Sequence, residues 1–403
     1  MRKVNTKSFV NFFLSMIFLF FAYCEKDPTP SIFVENPESN PDPVITSMVP
    51  AGKTLAGIGE IIFNGQNFSP VIEENTVFFD GTPAKILAAT TTQLTVQSPN
   101  LPGDSLEVKI NVVGSFLFSN TMYYSLENAV EEYGGYNDFD DVWGICVDAG
   151  ENLFTSLRAR RVDKITPDGE REDNWATTIG VIQANHMKVG PGGYIYLTRK
   201  NSTLYRIPPG GGNSETFVSS LPTKIYDLDF DPTGNIYTAG DGDNITLIHP
   251  DATFKVVADY LDTFIKAVRV FNGYVYVAGN ESDTKEAVWR NQIISADSLG
   301  NNEIVFDLTT QLGADIEIQS LEFAEDGDMY IGTTDTLAVI LIVHSDGSHE
   351  PLYPGVLEPQ TYDMHWGNSV HLYVNRRNSD VTKKRIIKVN MQKNGAPYYG
   401  RQL

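Results

Sequence analysis

Short apolar runs alternate with turns rich in Gly, Asp, Asn and Pro over the last two thirds of the chain. Six segments share one pattern: an apolar strand, a polar turn and a second strand that ends in an aromatic residue. They lie at residues 145–154, 187–196, 228–237, 268–276, 321–330 and 364–373, and the closing aromatics are 39 to 54 residues apart. A repeat near ~40 residues built only of strands is typical of β-propeller blades. Such blades must stack, because one blade cannot bury both faces of its sheet.

The repeats predict an all-β chain in which residues 127–403 form a six-bladed β-propeller. The turn at residues 231–237 reads Asp-x-x-Gly-x-Ile-Tyr, and residues 162–169 read Val-x-x-Ile-x-x-Asp-Gly. This pattern resembles NHL-type propellers. The resemblance implies a fold rather than a chemistry, because propellers carry unrelated functions. Two segments are candidates for the last outer strand: residues 396–403, or the residues before Val142.

A different strand pattern fills residues 43–126. Short alternating strands separated by turn residues predict a β-sandwich. Four motifs follow in order: Pro-x-Ile-x-Ser-x-x-Pro at 43–50, Gly-x-Asn-Phe at 65–68, Val-x-Phe-Asp-Gly-x-x-Ala at 77–84 and Thr-x-x-Leu-x-Val-x-x-Pro at 91–99. This set resembles an IPT/TIG domain of the immunoglobulin-like class. The resemblance implies a rigid spacer, with direct ligand binding by the domain as the alternative.

The N-terminus reads as a targeting segment. Arg2, Lys3 and Lys7 precede an apolar run at residues 9–22, which is too short to span a bilayer, and Cys24 follows it. This resembles a lipoprotein signal of the Bacteroidetes type, although Tyr23 stands where a small residue is usual. The resemblance implies a signal peptide at residues 1–23, a lipidated Cys24, a flexible tether at residues 24–42 and a place on the outer surface of the outer membrane. An ordinary secretory signal with an incidental cysteine is the alternative.

Charge and cysteine content narrow the function classes. The chain has 30 Lys and Arg against 51 Asp and Glu, a formal net charge of −21. Nucleic acid is therefore excluded as a predicted partner, because phosphate binding needs a basic surface. The two cysteines provide neither a disulfide framework nor a zinc site, and Cys146 lies in a repeat strand as a small buried residue. We predict a monomer that contacts the membrane only through its lipid anchor.

Six residues align at the entry to the innermost strand of each repeat. This position mixes aromatic rings with hydrogen-bonding side chains, which suits sugars, because a ring stacks on an apolar sugar face and polar groups bind the hydroxyls. We predict that these residues line one mouth of the central channel; packing of the rings between blades is the alternative. They are Trp143, Asn185, Tyr226, Lys266, Gln319 and Tyr362.

The next position of the repeat adds His186, Asp227 and Asp363 to the predicted ligand site. A histidine beside carboxylates is also the arrangement of a proton-transfer or metal site. Serine-nucleophile, zinc-protease and phosphate-loop motifs are missing from the sequence. We therefore predict non-catalytic binding without a cofactor or metal, with a glycan as the leading ligand and an envelope protein next. A polysaccharide lyase or hydrolase is the alternative.

A third position of the repeat alternates in charge around the ring. Lys188, Asp229, Arg269 and Glu322 follow one another in chain order. Buried charges must be paired. The alternation predicts a self-neutralising network that lines the channel.

Overall fold

The structure, a computed structural model, describes residues 39–282 and 284–401. Cys24, the predicted signal peptide and most of the predicted tether lie outside the described residues. Strands dominate the described part, which also contains one short helix, α1 (Leu308–Leu312), and 3-10 turns at Ile72–Glu74, Pro191–Gly193, Val381–Lys383 and Tyr399–Arg401. In these ranges no helix has the length and apolar character needed to cross a membrane. The all-β prediction is confirmed.

The first eight strands form a domain of their own. They are β1 (Val44–Val49), β2 (Lys53–Leu55), β3 (Glu60–Gln66), β4 (Asn75–Phe79), β5 (Thr82–Ala89), β6 (Gln93–Gln97), β7 (Gly103–Val112) and β8 (Met122–Glu127). Their hydrogen-bonded order is β1-β3-β6-β5-β4-β7-β8-β2. The start of β5 pairs with β4, and the rest of β5 pairs with β6. Because β5 belongs to both halves, the strands make one continuous path, and two separate sandwich sheets are not confirmed.

Aromatic packing fills the core of this domain. The rings of Phe63 and Phe79 meet edge to face at 6.3 Å, and Phe79 meets Tyr124 at 6.4 Å. All three rings are buried, and the Tyr124 hydroxyl donates to the Pro50 carbonyl at 2.9 Å. Such contacts add about 1 kcal/mol each to the gain from burying the rings. This core is separate from those of the later strands.

The later strands follow the repeats. They are β9 (Val130–Glu132), β10 (Val142–Val147), β11 (Leu153–Leu157), β12 (Arg161–Ile165), β13 (Arg171–Thr177), β14 (Met187–Val189), β15 (Ile195–Leu197), β16 (Thr203–Ile207), β17 (Gly212–Asn213), β18 (Glu215–Ser219), β19 (Lys224–Phe230), β20 (Ile236–Asp241), β21 (Asn244–Ile248), β22 (Phe254–Asp259), β23 (Thr263–Phe271), β24 (Tyr274–Glu281), β25 (Lys285–Ser295), β26 (Ser298–Asp307), β27 (Ile318–Phe323), β28 (Met329–Thr333), β29 (Ile340–Val343), β30 (His349–Pro351), β31 (Asp363–Trp366), β32 (His371–Arg376) and β33 (Arg385–Asn390).

Four groups of these strands form separate sheets. Their orders are β10-β11-β12-β13-β17, β14-β15-β16-β18, β27-β28-β29-β30 and β31-β32-β33-β9. The strands β19 to β26 instead form one eight-stranded sheet, because Asp241 at the end of β20 pairs with Phe264 in β23. The prediction of six separate blades is therefore not confirmed, although the arrangement is propeller-like.

The first strands of the repeats lie side by side. β10 contacts β14, and the contacts continue through β19, β23, β27 and β31 back to β10. The last sheet takes its outer strand from β9, where Val130 lies opposite Val389. The alternative in which residues before Val142 complete that sheet is confirmed. Cys146 in β10 is buried and free, as the sequence predicted.

The C-terminal segment does not supply the last outer strand, for which residues 396–403 were one candidate. The Tyr398 hydroxyl donates to the carbonyl of Val189, at the end of β14, at 2.8 Å. Arg401 Nη1 donates to the carbonyl of Trp366, at the end of β31, at 2.9 Å. This segment therefore covers the side on which the inner strands finish. The side on which they begin is the one where the sequence placed the ligand site.

Candidate functional site

Four of the six residues predicted at the strand entries lie together. The Trp143 and Tyr362 rings meet edge to face at 5.6 Å, and the Tyr226 and Tyr362 hydroxyls are 3.2 Å apart. Asn185 Nδ2 donates to the Tyr362 hydroxyl at 3.2 Å. The His186 ring stacks on Tyr362 with centroids 5.6 Å apart. We call these five residues (Trp143, Asn185, His186, Tyr226 and Tyr362) the mouth cluster.

The mouth cluster is partly open. Tyr362 is 9% exposed and Asn185 is 8% exposed, whereas Trp143 and Tyr226 are half-buried. Burial raises the pKa of the Tyr362 hydroxyl well above its usual value, so this group stays protonated. Tyr362 therefore acts as the packed centre of the cluster. The surface available to a ligand comes mainly from Trp143 and Tyr226.

The remaining two predicted residues belong to a separate group. Lys266 Nζ lies 3.2 Å from Glu286 and 3.0 Å from Glu317, and Gln319 Nε2 donates to Glu317 at 3.3 Å. Glu317 was not singled out in the sequence. Its carboxylate draws Lys266 and Gln319 toward each other, because charge-assisted hydrogen bonds are strong. The structure therefore does not bring all six residues into one cluster.

His186 and Asp363 form a buried pair beside the mouth cluster. His186 Nδ1 lies 3.0 Å from Asp363 Oδ1, and Asp363 Oδ2 accepts from the Ile145 amide at 2.8 Å. Burial disfavours the imidazolium, but the carboxylates of Asp363 and Asp227 outweigh it and raise the pKa of His186. His186 Nε2 is buried and has no hydrogen-bond partner among the described residues. The pair thus has a fixed orientation and one free nitrogen.

Asp227 takes another position. Its two oxygens accept from the amides of Leu228 and Val268, both at 2.8 Å, and Arg269 Nη1 lies 3.7 Å from it. Burial disfavours the carboxylate, yet Lys188, His186 and Arg269 together lower the pKa of Asp227. Asp227 therefore acts on His186 through its charge rather than through a hydrogen bond.

The predicted network of alternating charges is confirmed in part. Arg269 Nη2 lies 2.6 Å from Glu322, and Asp229 accepts from the amides of Phe230 and Val270 at 2.8 Å. Burial raises the pKa of Asp229 to about 6. Lys188 is 1% exposed and has no ion pair within the described ranges. Burial and, secondly, Arg269 lower the pKa of its amine.

The far end of the channel is closed. The Tyr398 ring lies 5.8 Å from Lys188 Nζ and 4.8 Å from the Arg401 guanidinium. The cavity that Tyr398 and Arg401 line together with Arg269 and His365 is about 20 Å³, enough for about one water molecule. A ligand larger than water therefore cannot enter the channel at this end.

The mouth cluster continues into a surface cleft. Tyr226 contacts Phe264 edge to face at 5.1 Å. Phe264 lines a cleft of about 480 Å³ together with Asp241, Asp243, Asp262, Thr263, Asn280 and Ser282. The described residues contain no group of three or more His, Cys, Asp or Glu side chains placed to hold a metal ion. The cleft extends the candidate site on one side of Tyr226.

Arg377 extends the candidate site on the side away from the cleft. Its guanidinium carbon lies 3.6 Å from the centroid of the Trp143 ring and 5.6 Å from that of Tyr362. One face of Trp143 is therefore covered by a cation rather than open for stacking. Arg377 follows β32 and stands outside the repeat position that was aligned in the sequence. The paired arginines at 376–377 were the available signal.

Comparison with known proteins identifies one domain and the general fold. The IPT/TIG domain model matches residues 43–125. No curated protein sequence matches the chain.

Solved structures match both parts of the chain. An auxiliary nutrient binding protein from Bacteroides thetaiotaomicron has a TM-score of 0.51 at 11% identity, covering 87% of this chain and 98% of that chain. One from Bacteroides ovatus has a TM-score of 0.50 at 13% identity, covering 88% and 98%. A Bacteroides thetaiotaomicron protein named as a candidate phosphatase has a TM-score of 0.55 at 11% identity, covering 87% and 97%. At such identities the similarity shows the fold alone. The chain thus contains an IPT/TIG domain at residues 43–125, followed by a propeller-like arrangement of strands.

Proposed function

We propose that the protein is a non-catalytic lipoprotein of the cell surface that binds a glycan at the mouth cluster. The observation that carries this proposal is the convergence of Trp143, Tyr226 and Tyr362 with the amide of Asn185 at the open side of the propeller-like domain. Aromatic rings with a few placed polar groups are the equipment of sugar sites. The Bacteroides nutrient binding proteins of similar fold are consistent with ligand binding.

The anchor and spacer complete this proposal. Lipidation of Cys24 and a tether up to residue 42 would hold the IPT/TIG domain at the outer membrane, and that domain would carry the binding site away from it. The apolar run that ends before Cys24 supports this reading. Stable anchoring needs two membrane-binding signals, such as two acyl chains. Cys24→Ala should release the processed protein from membranes; retention of the processed variant there would contradict the anchor.

We also propose finer features of the fold. The two halves of the eight-stranded sheet act as two blades, because a single pair of residues, Asp241 and Phe264, joins β20 to β23. Together with the four separate sheets they would make six blades around one axis. In the IPT/TIG domain, the two ends of β5 would belong to the two layers of an immunoglobulin-like sandwich.

Affinity electrophoresis on a panel of polysaccharide gels tests the proposed function. Wild type should be retarded by at least one glycan, and Trp143→Ala should be retarded less. Loss of a ring at a solvated site costs about 1 kcal/mol, or about fivefold in affinity. Tyr194→Ala is the matched control, because Tyr194 is also half-buried beneath a guanidinium, that of Arg206, but lies past the end of β14. Unchanged retardation of Trp143→Ala on every glycan that wild type binds would remove the mouth cluster as the glycan site and leave it available for an envelope protein.

A second candidate function is proton transfer by a polysaccharide lyase or hydrolase. The free Nε2 of His186, oriented through Nδ1 by Asp363, favours it. Against it, His186 is 2% exposed, so substrate would have to displace Tyr226 or Tyr362 to reach Nε2. Release of oligosaccharides by wild type, and its loss in His186→Gln, would support the enzyme. Retardation without any released product supports binding.

A further inference from the structure

We infer that the glycan carries an anionic group, a carboxylate or a sulfate, and that this group binds Arg377. The inference rests on the proposed glycan-binding function and narrows its ligand class. Arg377 lies 3.6 Å above Trp143, so a ligand that approaches this ring face meets a cation before it meets the indole. Stacking of a neutral sugar on that face is blocked.

The guanidinium has unused hydrogen-bonding capacity. It carries five N–H donors, and its Nη2 donates to Asp141 Oδ1 at 3.2 Å. Its Nε is buried, so a ligand can meet the guanidinium only through the Nη groups. A planar guanidinium with free donors matches the paired oxygens of a carboxylate or a sulfate. The Trp143 ring holds it in place from one side.

The local charge also favours an anion. Asp141 faces two cations, because Lys384 Nζ lies 3.8 Å from the same carboxylate oxygen that Arg377 contacts. One positive charge therefore remains uncompensated within this group, in a chain whose net charge is −21. An anionic substituent bound at Arg377 would neutralise it. Arg377 is 26% exposed, so solvent-borne ligands can reach it.

The opposite end of the site has the reverse charge. The cleft beside Phe264 contains Asp241, Asp243 and Asp262. Lys200 and Lys224 both pair with Asp241, at 3.2 and 3.7 Å, which leaves the group with one excess negative charge. Further anionic sugars would be repelled there. The ligand is therefore oriented, with its anionic unit at Arg377 and uncharged units running past Tyr226 toward the cleft.

Affinity electrophoresis of the full mature protein in matched gels tests this inference. Two pairs of gels are compared, each with a neutral and an acidic member. Xylan and glucuronoxylan test a carboxylate, and desulfated and sulfated carrageenan test a sulfate. A gel with polygalacturonate supplies a densely charged polymer. The acidic member of at least one pair should bind about tenfold more strongly, the effect of one charge-assisted hydrogen bond. Arg377→Met should remove that difference, and Arg377→Lys should keep part of it. Polygalacturonate should bind more weakly than the sparsely charged acidic member.

Arg290→Met is the matched control. Arg290 also covers an aromatic ring, that of Tyr274 at 4.5 Å, and also pairs with a carboxylate, Glu303 at 3.0 Å. The Arg290→Met substitution should leave glycan binding unchanged. If neutral and acidic members bind equally, or if Arg377→Met binds the acidic member as wild type does, the inference is overturned while glycan binding stands. If no gel retards the protein, the proposed function itself is overturned.

Discussion

His186 Nδ1 and Asp363 Oδ1 lie 3.0 Å apart although 177 residues separate them in the chain. His186 immediately precedes β14 and Asp363 begins β31, so the contact joins two inner strands across the channel entrance. Both side chains are 2% exposed. A buried pair of this kind fixes the floor on which the Tyr362 ring is stacked, and it makes the stability of the domain depend on pH.

Replacing Asp363 by Asn should destabilise the protein more in acid than in base. Burial opposes the charge on His186, but Asp363 and Asp227 raise its pKa above the usual value. The folded state therefore binds the proton more tightly. Its contribution to stability is fully present below about pH 6.5 and is lost as the pH rises through the raised pKa. Urea unfolding of both proteins at about pH 5.5 and about pH 9 measures the difference.

The exposed turn residue Asp168 provides the control for this experiment. Asp168→Asn should change the free energy of unfolding by less than about 0.5 kcal/mol at either pH. An effect of Asp363→Asn that is equal at the two pH values would contradict the pairing.

Glu322→Gln should cost about 3 kcal/mol of stability. The substitution removes the carboxylate that lies 2.6 Å from the buried guanidinium of Arg269 and leaves it only the longer contact to Asp227 at 3.7 Å; an incompletely compensated buried charge is costly. Glu303→Gln removes the partner of Arg290 at the surface and should cost less than about 1 kcal/mol. Chemical denaturation compares the two variants; similar losses would show that the Arg269 pair is as solvated as a surface pair.

Tyr398→Ala should open the far end of the channel. Its ring fills the space beside Lys188 and is half-buried, so its loss should cost less than the ~3 kcal/mol of a fully buried aromatic side chain. The amine of Lys188, whose pKa is lowered chiefly by burial, should then react faster with a small acylating reagent, as mass spectrometry of the peptides would show. Tyr123→Ala, at a ring that is 63% exposed, should leave both properties unchanged. An unaltered rate of Lys188 modification would place the closure elsewhere.

Most of the correct predictions about the fold and the candidate site came from the spacing of the repeats. It located the inner strands. Because equivalent positions of a propeller repeat meet at one mouth, it also predicted that Trp143, Tyr226 and Tyr362 lie together, as their contacts show. It also placed charges of opposite sign along the channel, of which Arg269 and Glu322 form an ion pair.

The sequence did not predict where long side chains reach or which contacts form outside the repeat. Lys266 has a long flexible stem and turns toward Glu317, which the alignment of equivalent positions did not consider. Arg377 comes from a loop after the second strand of its repeat and still covers Trp143. The joining of β20 to β23 depends on one backbone pair, at Asp241 and Phe264, for which the apolar pattern has no signal.

Isothermal titration of Tyr226→Ala with an oligosaccharide that wild type binds is the decisive measurement for glycan binding at the mouth cluster. Tyr226 is half-buried, joins the hydroxyl of Tyr362 and touches Phe264, so a ligand that occupies the mouth cluster must contact it. Binding at the mouth cluster should produce a loss of affinity of about fivefold or more in Tyr226→Ala and none in Tyr194→Ala. Equal affinity of wild type and Tyr226→Ala would contradict binding at the mouth cluster.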